Sequence, residues 1–218
     1  LGRYASAFAL LSDLSLLSLG GSLKFREMLS ARLGDILSEL YLLSAVLKRW
    51  IDEGSHREDL PLVEYAMAAG EARIANAFAG VLRNHPARWV AWSVRAVAFP
   101  FGFERDGPAD ELAKVCAEIL LKPSPQRDRL TPGIYPGVEG DAMAVLERAF
   151  LVAQEAAPLR RKMREAKIDD VEDAVTRGVL SAEQKDRLLN AEALLEQVIS
   201  VDDFSPAELS SLAKPRAD

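Results

Sequence analysis

The run Leu19-Gly20-Gly21-Ser22-Leu23-Lys24, continuing through Ser30-Ala31-Arg32-Leu33-Gly34-Asp35, Leu40-Tyr41 and Val46-Leu47-Lys48-Arg49 to Asp52-Glu53-Gly54 and Asp59-Leu60-Pro61-Leu62, decides the fold. Within it Leu33, Ile36, Leu37, Leu40, Leu43, Leu47, Trp50 and Ile51 recur mostly at steps of three and four, which lays one apolar stripe along a helix. The spacing predicts a single helix from Leu23 to about Ile51, with Gly20-Gly21 as the hinge before it and Ser22 as its cap. At about 1.5 Å per residue such a helix runs roughly 40 Å, a length that belongs to a bundle. Gly54 to Glu58 reads as a polar turn. Asp59, with Pro61 in the first turn, starts the next helix.

The flanks continue the helical pattern. Tyr4 to Leu19 is rich in Ala, Leu and Phe with few charges, which predicts a segment buried on most sides. After Pro61, the residues Val63, Ala66, Met67, Gly70, Ile74, Ala77, Phe78, Val81 and Leu82 mark one face, small and smooth around Ala68-Ala69-Gly70, which permits close helix approach, and Asn84-His85-Pro86 ends it. Helices are predicted over 87–98 and 109–121, with a turn at Phe99-Pro100-Phe101-Gly102 between them. Pro123, Pro125, Pro132, Gly133, Pro136, Gly137 and Gly140 mark a loop-rich connection, interrupted by a helical turn near 127–130. Further helices are predicted from Asp141 to about Arg164 and from Asp170 to Arg177, the latter closed by Gly178. Ser181-Ala182-Glu183-Gln184 opens another, reaching about Ile199, and Ser205-Pro206-Ala207-Glu208 forms a second capping box. No strand-period alternation of useful length occurs. The fold class is all-α: a bundle of long antiparallel helices over 1–122, a Pro/Gly-rich connection over 123–140, and a helical extension over 141–218 packing on the bundle.

Composition narrows the function. Apolar residues at 49% and charged residues at 28% of 218 suit a globular chain with a core. The net charge of −6, from 27 basic and 33 acidic side chains, argues against nucleic acid as a partner. One cysteine, Cys116, forbids an intrachain disulfide, and with only His56 and His85 beside it no metal site is expected. A cytoplasmic location fits this thiol usage. No apolar run reaches the roughly 18 residues of a spanning helix, so the chain is expected at most to lie on a membrane and not to cross one. The opening Leu1-Gly2-Arg3-Tyr4 leads straight into helical pattern, which is the expectation for a piece of a longer polypeptide.

Several residue groups invite a functional reading beside a structural one. Gly20-Gly21 near Lys24 lacks the further glycines or Lys-Ser/Thr pair of a phosphate cradle, so a hinge is preferred. Arg32 and Asp35, three apart, share a helix face around Gly34. A glycine there suggests close approach by another backbone, with the pair as an intradomain salt bridge under a crossing helix or as an interface set. Trp89, Trp92, Arg95 and Phe101 lie in an aromatic segment ending at Phe103. The preferred reading is a helix packed with Trp89, Trp92 and Phe99 on one inward face; the other is a surface for a membrane or partner. Arg160-Arg161-Lys162 with Arg164 suits a helix C-terminus. Cys116, between Leu112, Val115 and Ile119, reads as a buried thiol. No catalytic, cofactor-binding or metal-ligating residue is assigned.

The quoted stretch also carries a likeness. Leu19–Lys24, Ser30–Asp35, Ser44–Arg49, Asp52–Gly54 and Asp59–Val63 resemble, in order, the C-terminal domain of bacterial long-chain acyl-CoA dehydrogenases, enzymes of fatty-acid β-oxidation. Arg83-Asn84-His85-Pro86, Phe99-Pro100, Gly107-Pro108-Ala109-Asp110, Pro123-Ser124, Arg127–Leu130 and Val201–Leu209 extend the resemblance along nearly the whole chain. Arg32-Leu33-x-Asp35, Leu40-Tyr41 and Val46-Leu47 are more faintly similar to the extra C-terminal domain of the mitochondrial very-long-chain enzyme, an accessory module tied to dimer contacts and membrane association. The resemblance implies an FAD-dependent parent whose flavin-binding core and catalytic carboxylate precede these residues. FAD is then expected in the parent and not in this fragment. The implied partners are that core, a second copy in a homodimer, and peripheral contact with the inner membrane. A free-standing α-helical interaction module without catalytic activity is the alternative.

Overall fold

The computed structural model describes residues 1–103 and 105–200, and every regular element among them is helical. The second capping box, at Ser205–Glu208, lies outside the described residues. Two compact units divide the chain, Leu1–Arg127 and Asp128–Asp218.

The first unit is built on α1 (Gly2–Leu19), α2 (Glu27–Asp52), α3 (Leu60–Asn84), α4 (Arg88–Ala98) and α5 (Asp110–Leu120). The stripe on α2 buries Leu29, Leu33, Ile36, Leu40 and Leu43, while α3 buries Gly70, Ile74, Ala75, Phe78, Gly80, Val81 and Leu82. These two helices form an antiparallel hairpin. Its turn places Gly54 and Ser55 at positive φ and is fastened by Trp50 Nε1–H donating to His56 O at 3.0 Å. Across the hairpin Arg73 grips Glu39 with two parallel bonds, 2.5 and 3.0 Å long.

Glycines on α3 set how closely the hairpin closes. Leu43 fills the space a Cβ on Gly70 would take, its Cδ2 2.5 Å from that position, and Arg32 Cδ and Nε come within 2.7 Å of the same point on Gly80. Gly34 plays no such part. It is exposed, and a Cβ there meets nothing within 4 Å. The close approach expected around Gly34 thus occurs on the partner helix, which supplies the glycines while α2 supplies the side chains.

The entry to α2 also differs from its sequence reading. Gly20–Phe25 is a 3₁₀ turn, and α2 begins at Glu27 with Arg26 at its cap position. Ser22 does not cap it, because its hydroxyl donates back to Leu19 O at 2.7 Å. Ser30 instead ties the helix to the turn, donating to Leu23 O at 3.0 Å.

The helix α1 lies against α4 and the start of α2. Tyr4, Phe78, Phe99 and Phe103 form a chain of rings with centroids 4.8–6.1 Å apart. The Tyr4 hydroxyl has no hydrogen-bond partner among the described residues, and burial pushes its pKa up. At the far end of α1, Ser15 meets His85 at the α3–α4 corner. The Ser15 hydroxyl spends its proton on Leu11 O at 2.6 Å, so it accepts from His85 Nε2 at 3.2 Å. His85 Nδ1 lies 3.2 Å from the Ala87 N–H and 3.1 Å from the Ala87 carbonyl, so it accepts from the first in the neutral ring and donates to the second when the ring is protonated. Burial lowers the His85 pKa. The Ala87 carbonyl opposes that shift, and the nearby Arg26 and Arg88 charges add to it.

The second unit holds α7 (Ala142–Glu165), α8 (Val171–Thr176) and α9 (Ala182–Ile199), while the short α6 (Pro125–Leu130) spans the division. Its core is Ala156, Leu159, Met163, Ile168, Ala174, Leu180, Leu188 and Ala191. Its helices start where the sequence signals them. Asp170 accepts from Asp173 N at 2.8 Å, and Ser181 and Gln184 complete both bonds of a capping box. Before α7, the Asp141 carboxylate takes the Tyr135 hydroxyl at 2.6 Å and the Val138 N–H at 3.2 Å, which organises the end of the Pro/Gly-rich connection.

Two outcomes are expected. Gly34→Ala should stabilise the chain by up to about 1 kcal/mol by restricting the unfolded helix. Gly70→Ala should destabilise it by roughly 1–3 kcal/mol, because buried Leu43 has nowhere to go. Urea melts of both variants check the pair, and equal effects would refute the assigned close approach. For His85, the folded state favours the neutral ring, so the unfolded state binds more protons below pH 6.5, the ordinary value. The stabilisation is complete above that pH and is lost as pH falls through the depressed folded pKa. Thermal melts between pH 7.5 and 5 should therefore fall more steeply for the wild type than for His85→Gln.

Candidate functional site

The residues singled out from sequence do not converge on one site. Arg32 is half-buried on α2; its stem lies on Gly80 and its Nη1 donates to Met28 O at 3.3 Å. Asp35 is exposed, and no ion pair among the described residues joins it to Arg32. The expected intradomain salt bridge is absent because Arg32 is turned toward α3.

On α4 the inward face belongs to Val90, Ala91 and Val94, and Trp89 and Trp92 point outward, Trp92 with 69% of its surface exposed. The packed reading of these tryptophans is therefore corrected. Smaller side chains take the crowded side of the helix. Phe99 reaches the core only because the chain leaves helical geometry at that residue, with φ −134 and ψ 52. Arg95 shares the exposed side and sets its guanidinium 5.7 Å from the centre of the Phe103 ring. Phe101, 97% exposed, projects from the turn that follows, where Gly102 stands at positive φ. Beside it an apolar groove of about 420 Å³ is lined by Ser6, Leu10, Val97 and Pro100, with Arg3 held at its end by two bonds to Ala98 O.

Sequence reading missed the larger feature, the outer face of α1. Tyr4, Ala7, Leu11 and Ser15 face inward, yet Leu16 and Leu17 are exposed, Leu17 at 77%. The segment Gly2–Phe25 has a mean hydropathy of 1.4 over its most apolar 18 residues, of which only 17% are buried. It is the one described segment long and apolar enough to cross a membrane by length and composition. Interleaved Ala and Ser kept it from reading as an apolar run. The expectation of burial on most sides thus fails within this unit: α1 has the composition of a core helix but is covered on one side. On α2, Leu37, placed on the stripe by its spacing, is exposed at the edge of the buried face, and Leu42 and Tyr41, the latter at 73%, are exposed beyond it. The signal available in the sequence was an α1 almost without charge, carrying only Arg3 and Asp13.

The remaining candidates are structural. Cys116 is buried, its thiol donates to Pro61 O at 3.2 Å, and burial raises its pKa. Arg160 and Arg161 at the end of α7 pair with Glu192 and Glu165. Three open grooves among the described residues, about 350–430 Å³ each, do not enclose a flavin dinucleotide. At Gly20–Phe25 the Ser22 hydroxyl is committed to Leu19 O and the Lys24 ammonium lies over the Phe25 ring.

No solved structure matches the chain significantly. Over residues 1–204 it matches the family described as acyl-CoA dehydrogenase, C-terminal, bacterial type. A match of that extent, on an all-helical chain with the motif order read above, is decisive: the chain belongs to the bacterial-type C-terminal domain family of the acyl-CoA dehydrogenases.

Proposed function

We propose that this chain is the accessory helical domain of an FAD-dependent acyl-CoA dehydrogenase of fatty-acid β-oxidation, docked on the flavin-binding core of the same polypeptide through the outer faces of α1 and α2. In that arrangement the core removes two hydrogens across Cα and Cβ of a fatty acyl-CoA and passes the electrons to flavin. The helical domain supplies packing, not chemistry. The one-sided burial of α1 carries this reading. Covering a fully exposed leucine is worth about 1.5–3 kcal/mol, and Leu16, Leu17, Leu37 and Leu42 all stand ready to be covered. Surface ion pairs, at about 0–1 kcal/mol each, could not replace that contribution.

A second reading draws on Trp89 and Trp92, exposed between Arg88 and Arg95 on α4, a helix without acidic residues, and on Phe101 in the turn that follows. Aromatic rings with flanking arginines suit a lipid headgroup layer, and this would place a cytoplasmic enzyme peripherally on the inner membrane. A homodimer contact through the α1 and α2 faces is the remaining alternative, and it would appear as concentration-dependent association of the isolated chain.

Leu17→Glu and Tyr41→Glu test the docking. Both side chains are exposed in the isolated chain, whose melting temperature should not move. In the parent polypeptide the same changes should lower the melting temperature by several degrees and reduce activity. A parent as stable and active as wild type would rule docking through these faces out. For the membrane reading, the chain should float with vesicles containing anionic lipid, and Trp89→Ala with Trp92→Ala should abolish flotation. A chain that does not float removes that reading.

A further inference from the structure

The helix pair of the second unit is well covered at one end only. Its buried cluster takes Ala156, Leu159 and Met163 from α7 and Leu188 and Ala191 from α9, and α8 with the flanking Ile168 and Leu180 completes it. At the other end, where α7 starts and α9 finishes, burial gives out. Val145, Leu194 and Val198 are half-buried there, and Met143 and Leu146 are exposed at 46% and 44%. Between the two helices runs an open groove of about 430 Å³, lined by Met143, Val145, Leu146 and Val198 with Gln197 at its edge. A helix pair buries its apolar seam fully only where a further element lies across it.

The chain leaves α9 at this groove. Gln197 and Val198 line it, and residues 201–218, outside the described ones, follow directly. Their sequence carries a helix signal. Ser205 stands at the cap position, Pro206 at the first helical position and Glu208 at the third. Phe204 before the cap and Leu209 after the box have the spacing of a hydrophobic staple, and Leu212 repeats the apolar side one turn on. Pro215 bounds the pattern. So short a helix is not stable alone in water, and its apolar side needs a surface.

We propose that this groove is the seat of residues 204–212 of the same chain, with Phe204 and Leu209 set against Val145, Leu146 and Val198. The reach is sufficient. Extended chain from Ser200 to Phe204 spans roughly 13 Å at about 3.3 Å per residue, and Val198 already borders the groove. Tethering decides between occupants. A segment joined by so short a link acts at an effective concentration in the millimolar range, so one ring and two leucines suffice. A separate protein needs an interface of roughly 1,000 Å² or more. The seat lies in the second unit, whereas α1 and α2 belong to the first, so its failure leaves docking through those helices untouched.

Hydrogen exchange on the full chain, read by mass spectrometry, tests the seat. Amides of residues 207–213 should exchange about tenfold or more slowly than those of an unstructured chain, independently of protein concentration. Leu146→Glu in the groove and Phe204→Ser in the tail should each return them to the unstructured rate. Amides around Ala156 and Leu188 report that the unit stays folded, and Phe204→Ser lies outside the described helices. Peroxide oxidation of Met143 gives a second readout, and it should run about threefold or more faster in Phe204→Ser than in the wild type. The proposal is overturned by unprotected tail amides in the wild type, by protection that survives either variant, or by Met143 oxidation equal in both chains. Protection that grows with concentration would also overturn it, by assigning the groove to a second copy.

Discussion

The first unit depends on how closely α2 and α3 approach. Leu43 occupies the volume that a side chain at residue 70 would fill, and the stem of Arg32 does the same over residue 80. Interiors are packed tightly enough that a single extra carbon at such a point must displace something. With the two glycines in place, the buried residues of both helices join one cluster, and α1 and α4 close over it through the ring chain and the Ser15–His85 bond. The inward faces of α1 and α4 are the ones that meet this shared cluster.

What was legible in the sequence follows from locality. Apolar spacing and caps act within a few residues, so α2, α3, α7, α8 and α9 appear close to where their patterns place them, and the Ser181–Gln184 capping box forms both of its bonds. What failed was tertiary. The role of a glycine depends on what packs against it, and that neighbour lies on another helix, so Gly34 misled and Gly80 went unread, while the smooth face at Ala68-Ala69-Gly70 does meet a close neighbour. Two apolar faces compete on α4, and the periodicity that holds Trp89 and Trp92 together does not say that Val90, Ala91 and Val94 fit the crowded side better. For α1, composition gave an apolar helix correctly but could not say whether its cover lies within the same unit.

The functional account grows from that same helix. Family membership places the chain among C-terminal domains of acyl-CoA dehydrogenases, and the described residues show extended apolar faces. An accessory role that covers those faces against a partner accounts for both.

The central claim is that the uncovered side of α1 is buried in the parent enzyme. Hydroxyl-radical footprinting of Leu16, Leu17, Leu37 and Tyr41, in the parent polypeptide and in the isolated 218-residue chain, measures it directly. The account predicts strong protection of these side chains in the parent and full reactivity in the isolated chain. Equal reactivity in both would contradict it.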